Sequence, residues 1–386
     1  MKKPCPTIPA ACGTGILILT SSTGGGHDSV AVALQEAIQA LAPEISVRVL
    51  DPLSGRGRTG PLSPARWYDA TVAQAPWLWG LVYHATNRAW DVKLGLHGPG
   101  ALLWTRRLRS ILQSERPALV VSVHPLCTHL AAHVLRKSPV APPLHCVVTV
   151  LVTFHRCWAC ATADAFYVAK AVACEALIAL GIPPGRIDVT GLPLRGAFAQ
   201  VQHAAGSDAP PRVLLLGGGR PSRRLTAVAR ALAASVRPLK LVVVCGRNTR
   251  LRRRLARTVG TRATVLGWRD DIAALMQDSS VVVTKGGPTT VAEALSQARP
   301  LLIYQALPGQ EAGNVALVER TGAGRYIPDT GTLVCAVATR AQGEPTGNEA
   351  QALLWGSAAQ RVAVRLVAAR EDASTAPRRP AHEGGR

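Results

Sequence analysis

The chain has 386 residues, 48% of them hydrophobic and 17% charged, which suits two domains of about 150 residues or more and excludes a disordered chain. It holds no run of about 18 uncharged apolar residues, so no membrane-crossing helix is expected. Its nine Cys follow no framework spacing, and no apolar run precedes Gly13, which fits a reducing cytosol better than export. Lys and Arg outnumber Asp and Glu by 44 to 23, for a net charge of +21, so the expected partners are anions: nucleic acid, anionic lipid or a phosphorylated substrate.

Residues 15–20 read as a buried strand ending in Ser21-Ser22-Thr23-Gly24-Gly25-Gly26-His27, and residues 29–41 carry apolar positions at helical spacing. Strand, glycine loop and helix bring backbone N–H groups to a helix N-terminus, where an anion is favoured. The loop lacks the spacing of a dinucleotide fingerprint. His27, at the loop-to-helix junction, is a candidate general base or a helix-capping residue. Further strands are expected at 45–50, 118–123 and 145–151, forming a parallel sheet covered on both faces. This first domain extends to residue 200.

Within it, residues 56–116 hold five of the eight Trp and nine Lys or Arg against three acids. Indole rings and basic heads favour a membrane interface, and Trp77 and Trp79, after Pro76, are the expected insertion point; the other reading is a Trp-bearing core under a solvated basic face. His155 with Cys157-Trp-Ala-Cys160 has the look of a metal half-site, but no second Cys pair exists, so no metal is expected.

Residues 201–211 read as a linker, after which the pattern restarts. Val213–Leu216 leads into Gly217-Gly218-Gly219, a helix is expected over 222–236, and strands over 240–245, 263–266, 280–284 and 300–304. Arginines 220, 223, 224, 247, 250, 252, 253, 254 and 257 form a run without one acid, yet no nucleic-acid module accompanies them, so nucleic acid is not an expected partner. Cys245-Gly246-Arg247-Asn248 ends one strand. Lys285-Gly286-Gly287-Pro288-Thr289-Thr290 ends another and opens a helix, which suits a diphosphate. Glu293, one turn in, can accept from ribose hydroxyls or simply complement the helix dipole. Pro308-Gly309-Gln310-Glu311-Ala312-Gly313-Asn314 offers amides and a carboxylate to sugar hydroxyls. The second domain is assigned residues 212–369, and 370–386 a disordered tail. Two doubly wound α/β domains facing across a cleft suggest a two-substrate enzyme.

In order, Thr-Gly-Gly-Gly-His, Ser122-Val-His-Pro-Leu126, Gly191-Leu-Pro-Leu-Arg195, Gly-Gly-Gly, Cys-Gly-Arg-Asn, Gly267-Trp268, Lys-Gly-Gly-Pro-Thr-Thr and Pro-Gly-Gln-Glu-Ala-Gly-Asn resemble the monogalactosyldiacylglycerol synthases, over residues 15–327. These are GT-B glycosyltransferases, related to the peptidoglycan GlcNAc-transferase. The resemblance implies an inverting transfer of a hexose, galactose favoured, from UDP-hexose to diacylglycerol, with no metal and no further cofactor. It implies His27 as the base. It places Gly218, Gly219, Arg247, Asn248, Trp268, Gly286, Pro288, Thr289, Glu293, Gln310, Glu311 and Asn314 on the donor side: uracil near Trp268, ribose at Glu293, diphosphate at Gly286, Pro288 and Thr289, hexose at Gln310 and Glu311. Gly25, Gly26, His124, Pro125 and His155 fall on the acceptor side. It also implies an enzyme peripheral on the inner, cytoplasmic face of an anionic membrane. Two departures bear on rate and acceptor choice: Val150 stands where the family commonly has Asp, and Thr289 where it has the second Gly of Gly-Pro-Gly-Thr. A UDP-glucose-dependent enzyme, or a catalytically impaired lipid- or nucleotide-binding homologue, stays open.

Overall fold

The computed structural model describes residues 13, 15–21, 25–53, 71–72, 75–88, 101–138, 141–199, 210–218, 223–236, 238–340 and 357–375. In the first domain the strands are β1 (Ile16–Leu19), β2 (Val47–Leu50), β3 (Leu119–Ser122), β4 (Leu144–Val147), β5 (Ala165–Val168) and β6 (Ile187–Val189). Its helices are α1 (Gly26–Leu41), α2 (Pro76–Arg88), α3 (Ala101–Glu115), α4 (Pro125–Leu135) and α5 (Ala171–Ala179). In the second domain the strands are β7 (Arg212–Leu216), β8 (Lys240–Val244), β9 (Ala263–Leu266), β10 (Val281–Lys285), β11 (Leu301–Gln305) and β12 (Gly324–Tyr326). Its helices are α6 (Arg223–Ala233), α7 (Thr249–Val259), α8 (Ile272–Gln277), α9 (Pro288–Ser296), α10 (Ala312–Arg320) and α11 (Thr330–Arg340). A last helix, α12, spans Ala358–Thr375.

Each domain carries one six-stranded sheet with every registered pair parallel, in the orders β2-β1-β3-β4-β5-β6 and β12-β11-β10-β7-β8-β9. Short runs such as Ile-Leu-Ile-Leu in β1 are buried on both faces. Alternate side chains go to opposite faces: Ile16 and Ile18 join one apolar cluster, Leu17 and Leu19 another. The first of these clusters continues across the cleft through Leu214, Val282 and Ile303 of the second sheet, so the two domains share one core. Helix crossovers and glycine turns put the ligand-facing loops at the carboxyl ends of both sheets.

The strand and helix expectations hold in place, with the strand read at 145–151 ending at Val147. The expected boundaries need correction at the chain's far end. Helix α12 packs against α1 and β3, and Ala359, Val362, Ala363 and Leu366 lie in the shared core. Residues 358–375 therefore cover the first domain, and 370–375 are helical rather than a tail. A guanidinium fixes the return: Arg361 donates through Nε and Nη2 to the carbonyl of Thr190, at 3.2 and 2.7 Å. Linker residues 201–209, the tail residues 376–386, Gly219, Trp67 and Trp90 lie outside the described residues.

Candidate active site

Gly25 caps α1 with φ 86°, a left-handed conformation that a side chain would strain, and this turn delivers His27 into the cleft. The ring Nδ1 lies 2.7 Å from the carbonyl of Val123 and 2.9 Å from Thr149 Oγ1. A carbonyl only accepts, so Nδ1 carries the hydrogen and Nε2 keeps its lone pair. Burial holds His27 below the ordinary imidazole value, partly offset by the Val123 carbonyl and the charge of Asp28. The neutral, base-competent form is thus the resting form near pH 7. Val150, two residues beyond Val148 of the same loop, packs against the first domain's core. A backbone carbonyl does the orienting that a carboxylate would do.

His124 meets His27 edge to face, with ring centroids 4.6 Å apart, and the indole of buried Trp158 stands 6.2 Å from His27. His124 caps α4, with Pro125 as its first helical residue. Desolvation, then the proximity of His27, hold its pKa well below the usual value. Its Nδ1 is buried without a hydrogen-bond partner among the described residues.

Across the cleft, α9 starts with Gly287 as cap and Pro288 first, and no side chain caps it. Its first-turn N–H groups are left for a ligand. A Cβ on Gly26 would stand 2.8 Å from Thr289 Oγ1, so the N-termini of α1 and α9 meet across the interface. Thr289 Oγ1 is itself buried and unpartnered among the described residues. A hydroxyl beside Gly26 and a ring nitrogen beside His27 are thus both buried and unpaired among the described residues; such groups are costly unless a ligand satisfies them. One turn further into α9, Glu293 is buried and accepts from Ser29 Oγ of α1 at 3.2 Å. Burial pushes its pKa up to about 7, against the pull of that bond and of Arg195.

The remaining donor-side residues divide by what they touch. Lys285 is half-buried beside Gly218 (φ 69°), its Nζ 3.5 Å from where a Cβ there would stand, with its pKa lowered by desolvation and supported by the charge of Glu311. Lys285 opens the Lys-Gly-Gly-Pro-Thr-Thr turn, and a cation set against two glycine turns is what marks it out. Glu311 accepts from the Leu307 N–H at 2.8 Å, and Asn314 donates from Nδ2 to the Gly286 carbonyl at 2.8 Å. Both are buried, and they shape the Gly286 turn. Arg247 stacks 4.0 Å over the exposed Trp268 ring. Asn248 is committed to capping α7, its Oδ1 accepting from the Leu251 N–H at 2.9 Å.

One further expectation changes. Trp77 is 69% exposed, but Trp79 is half-buried and donates from Nε1 to Gln310 Oε1 at 2.8 Å. The expected insertion pair is therefore corrected: a hydrogen-bonded indole facing the second domain is not an insertion residue. The apolar outer face of α2 is Trp77, Leu78, Leu81 and Val82. His155 accepts from the Cys157 N–H through Nδ1 at 3.1 Å, and its Nε2 lies 3.1 Å from Thr86 Oγ1, so this ring pins α2 to the loop after β4. No group of three His, Cys, Asp or Glu able to hold a metal occurs among the described residues.

Residues 27–194 match the family model for monogalactosyldiacylglycerol synthase, and residues 212–342 that for the glycosyltransferase family 28 C-terminal domain. The chain is 30% identical to the probable monogalactosyldiacylglycerol synthase 2 of Oryza sativa subsp. japonica, over 83% of this chain and 74% of that protein. The chain belongs to the monogalactosyldiacylglycerol synthase family. It is 31% identical to monogalactosyldiacylglycerol synthase 3 of Arabidopsis thaliana, over 81% and 70% of the two chains. In fold it is similar to MurG of Acinetobacter baumannii (TM-score 0.54, 14% identity, 91% and 99% of the two chains). It is also similar to Arabidopsis thaliana UGT89C1 solved with UDP-L-rhamnose (TM-score 0.58, 12% identity, 92% and 98%). The fold is GT-B and the protein is a glycosyltransferase.

Proposed function

We propose that the protein transfers a hexose, with galactose the favoured sugar, from UDP-hexose to the free hydroxyl of 1,2-diacylglycerol with inversion. The observation that carries this reading is the meeting of α1 and α9: a neutral histidine whose Nε2 keeps its lone pair stands on one side, a helix N-terminus without a side-chain cap on the other. His27 Nε2 takes the acceptor hydroxyl's proton as its oxygen bonds to the anomeric carbon. The bond from that carbon to the diphosphate breaks, and the electron pair leaves with UDP. The α9 N–H groups and Thr289 Oγ1 stabilise the departing charge as preorganised donors, without a resident metal. Glu293 takes the ribose, with Ser29 giving way, and Gln310 and Glu311 take the hexose.

The acceptor reaches the cleft from a membrane surface. Support comes from the apolar outer face of α2, from exposed Leu102 and Leu103 at the start of α3, and from the net charge of +21, which suits an anionic leaflet. No helix among the described residues is long and apolar enough to cross a membrane. We read the enzyme as peripheral, on the cytoplasmic face.

The test is glycolipid formation on anionic vesicles containing diacylglycerol, with UDP-galactose and UDP-glucose supplied in parallel. A galactolipid supports the proposal. A glucolipid moves the donor assignment to glucose. Measurable UDP binding with no product from either donor overturns the transfer reaction and favours a nucleotide-binding homologue, in which Val150 and Thr289 mark the loss.

A further inference from the structure

Helix α2 belongs to the first domain, yet one of its faces closes the sugar end of the second. Its far end is fixed at home: Thr86 Oγ1 lies 3.1 Å from His155 Nε2, and the Arg156 N–H donates to Asn87 Oδ1 at 2.8 Å. Its near end sits on the turn Pro308-Gly309-Gln310. A Cβ on Gly80 would lie 2.8 Å from Pro308 Cβ, and one on Gly309 would lie 2.9 Å from Tyr83 Cδ1 and 3.0 Å from His84 Nε2. Gly309 has φ 76°, so both backbone conformation and space require glycine there. The seat has no slack, and across it the Trp79 indole N–H reaches Gln310 Oε1 at 2.8 Å.

That bond settles which way the amide faces. An indole nitrogen only donates, so it engages the amide oxygen and leaves the two Nε2 hydrogens outward. Those hydrogens have no protein acceptor among the described residues. Freed of Trp79, the amide could turn by about 180° and show a ligand either an acceptor or donors. A hexose hydroxyl accommodates both, so an unfixed amide would grip the sugar weakly and without orientation.

We propose that Trp79 is a positioning residue for the donor sugar: it locks the Gln310 side chain so that its N–H groups meet a hexose hydroxyl. This rests on the reading of Gln310 as a hexose ligand. Trp79 then reaches the sugar subsite from the acceptor domain, and its hydrogen bond touches none of the residues assigned to the nucleotide. UDP and UDP-hexose should respond differently to a change at Trp79.

The experiment measures Kd for UDP and for UDP-galactose by calorimetry, in the full chain and in four variants. Trp79→Phe keeps the ring and removes the N–H; it should weaken UDP-galactose binding about three- to tenfold, as the loss of one neutral hydrogen bond does, and leave UDP unchanged. Gln310→Ala should show the same split, and adding Trp79→Phe to it should weaken binding no further. Gln310→Glu keeps an oxygen for the indole but removes the amide donors, and should match Gln310→Ala. If Trp79→Phe weakens UDP and UDP-galactose alike, or neither, while Gln310→Ala weakens only UDP-galactose, the positioning role is wrong and the hexose reading stands. If Gln310→Ala leaves UDP-galactose binding intact, the hexose reading falls and this proposal with it. Gln310→Glu binding like wild type would sink the claim that the N–H groups are the working end.

Discussion

His27 is neutral because burial makes its charged form costly, and it is oriented because one ring nitrogen faces a carbonyl. Replacing His27 with Ala should lower the transfer rate by about 10²-fold or more while UDP affinity holds. The acid limb of kcat/KM should lie below pH 6.5, since the proton leaves this ring more readily than it leaves a free imidazole. Glu293 shows the opposite shift. Above about pH 4.5 the unfolded chain has lost this proton, while the folded protein keeps it up to about pH 7. Stability linked to Glu293 is therefore present at low pH and is lost as pH rises through that window. Glu293→Gln should match wild type in urea unfolding at pH 4 and exceed it at pH 8, by on the order of 3 kcal/mol. His27 was legible in the sequence because a glycine loop opening a helix is a local signal. Its orienting partner was not: the carbonyl of Val123, 96 residues away, has no side-chain signature.

Helix α2 shows why a motif can be read correctly and placed wrongly. Two tryptophans two residues apart on a helix point about 200° apart, so Trp77 and Trp79 cannot both enter a bilayer. Composition marks the segment; the helix period then turns Trp77 outward and Trp79 toward protein. Replacing Trp77 and Leu81 together by Ser should release the protein from anionic vesicles in a flotation assay while UDP affinity stays unchanged. Retention on vesicles would return the outer face of α2 to the role of an ordinary exposed surface. The glycine turns of the second domain were legible for the same reason as His27, being turns that open helices. Within them, Asn248 and Asn314 carried polar signals that the fold spends on a helix cap and on the Gly286 turn. A sequence motif records that an amide is needed, and both uses need one.

At the scale of the molecule, two parallel sheets and the break between them follow from alternating apolar runs and one polar, Pro-rich stretch. The return of α12 to the first domain was not legible. Its buried side chains are mostly small, Ala358, Ala359, Val362 and Ala363 with Leu366, and its last turns carry Arg370, Glu371 and Asp372, which read as a solvated tail. Leu366→Ala should cost about 2–5 kcal/mol, seen as a lower Tm, because the leucine is fully buried in the core shared by both sheets. A thermal midpoint like wild type would mean that α12 contributes nothing to that core.

The chain thus bridges the two domains twice, once on the way out and once on the way back, and its last described residues ride with the domain in which it began. A spin label at exposed Ser374 would keep a constant distance to one on α1. Its distance to a label on α10 would change only if the cleft opens. One pair is then a ruler for opening and the other its internal reference, both read in the same molecule during turnover.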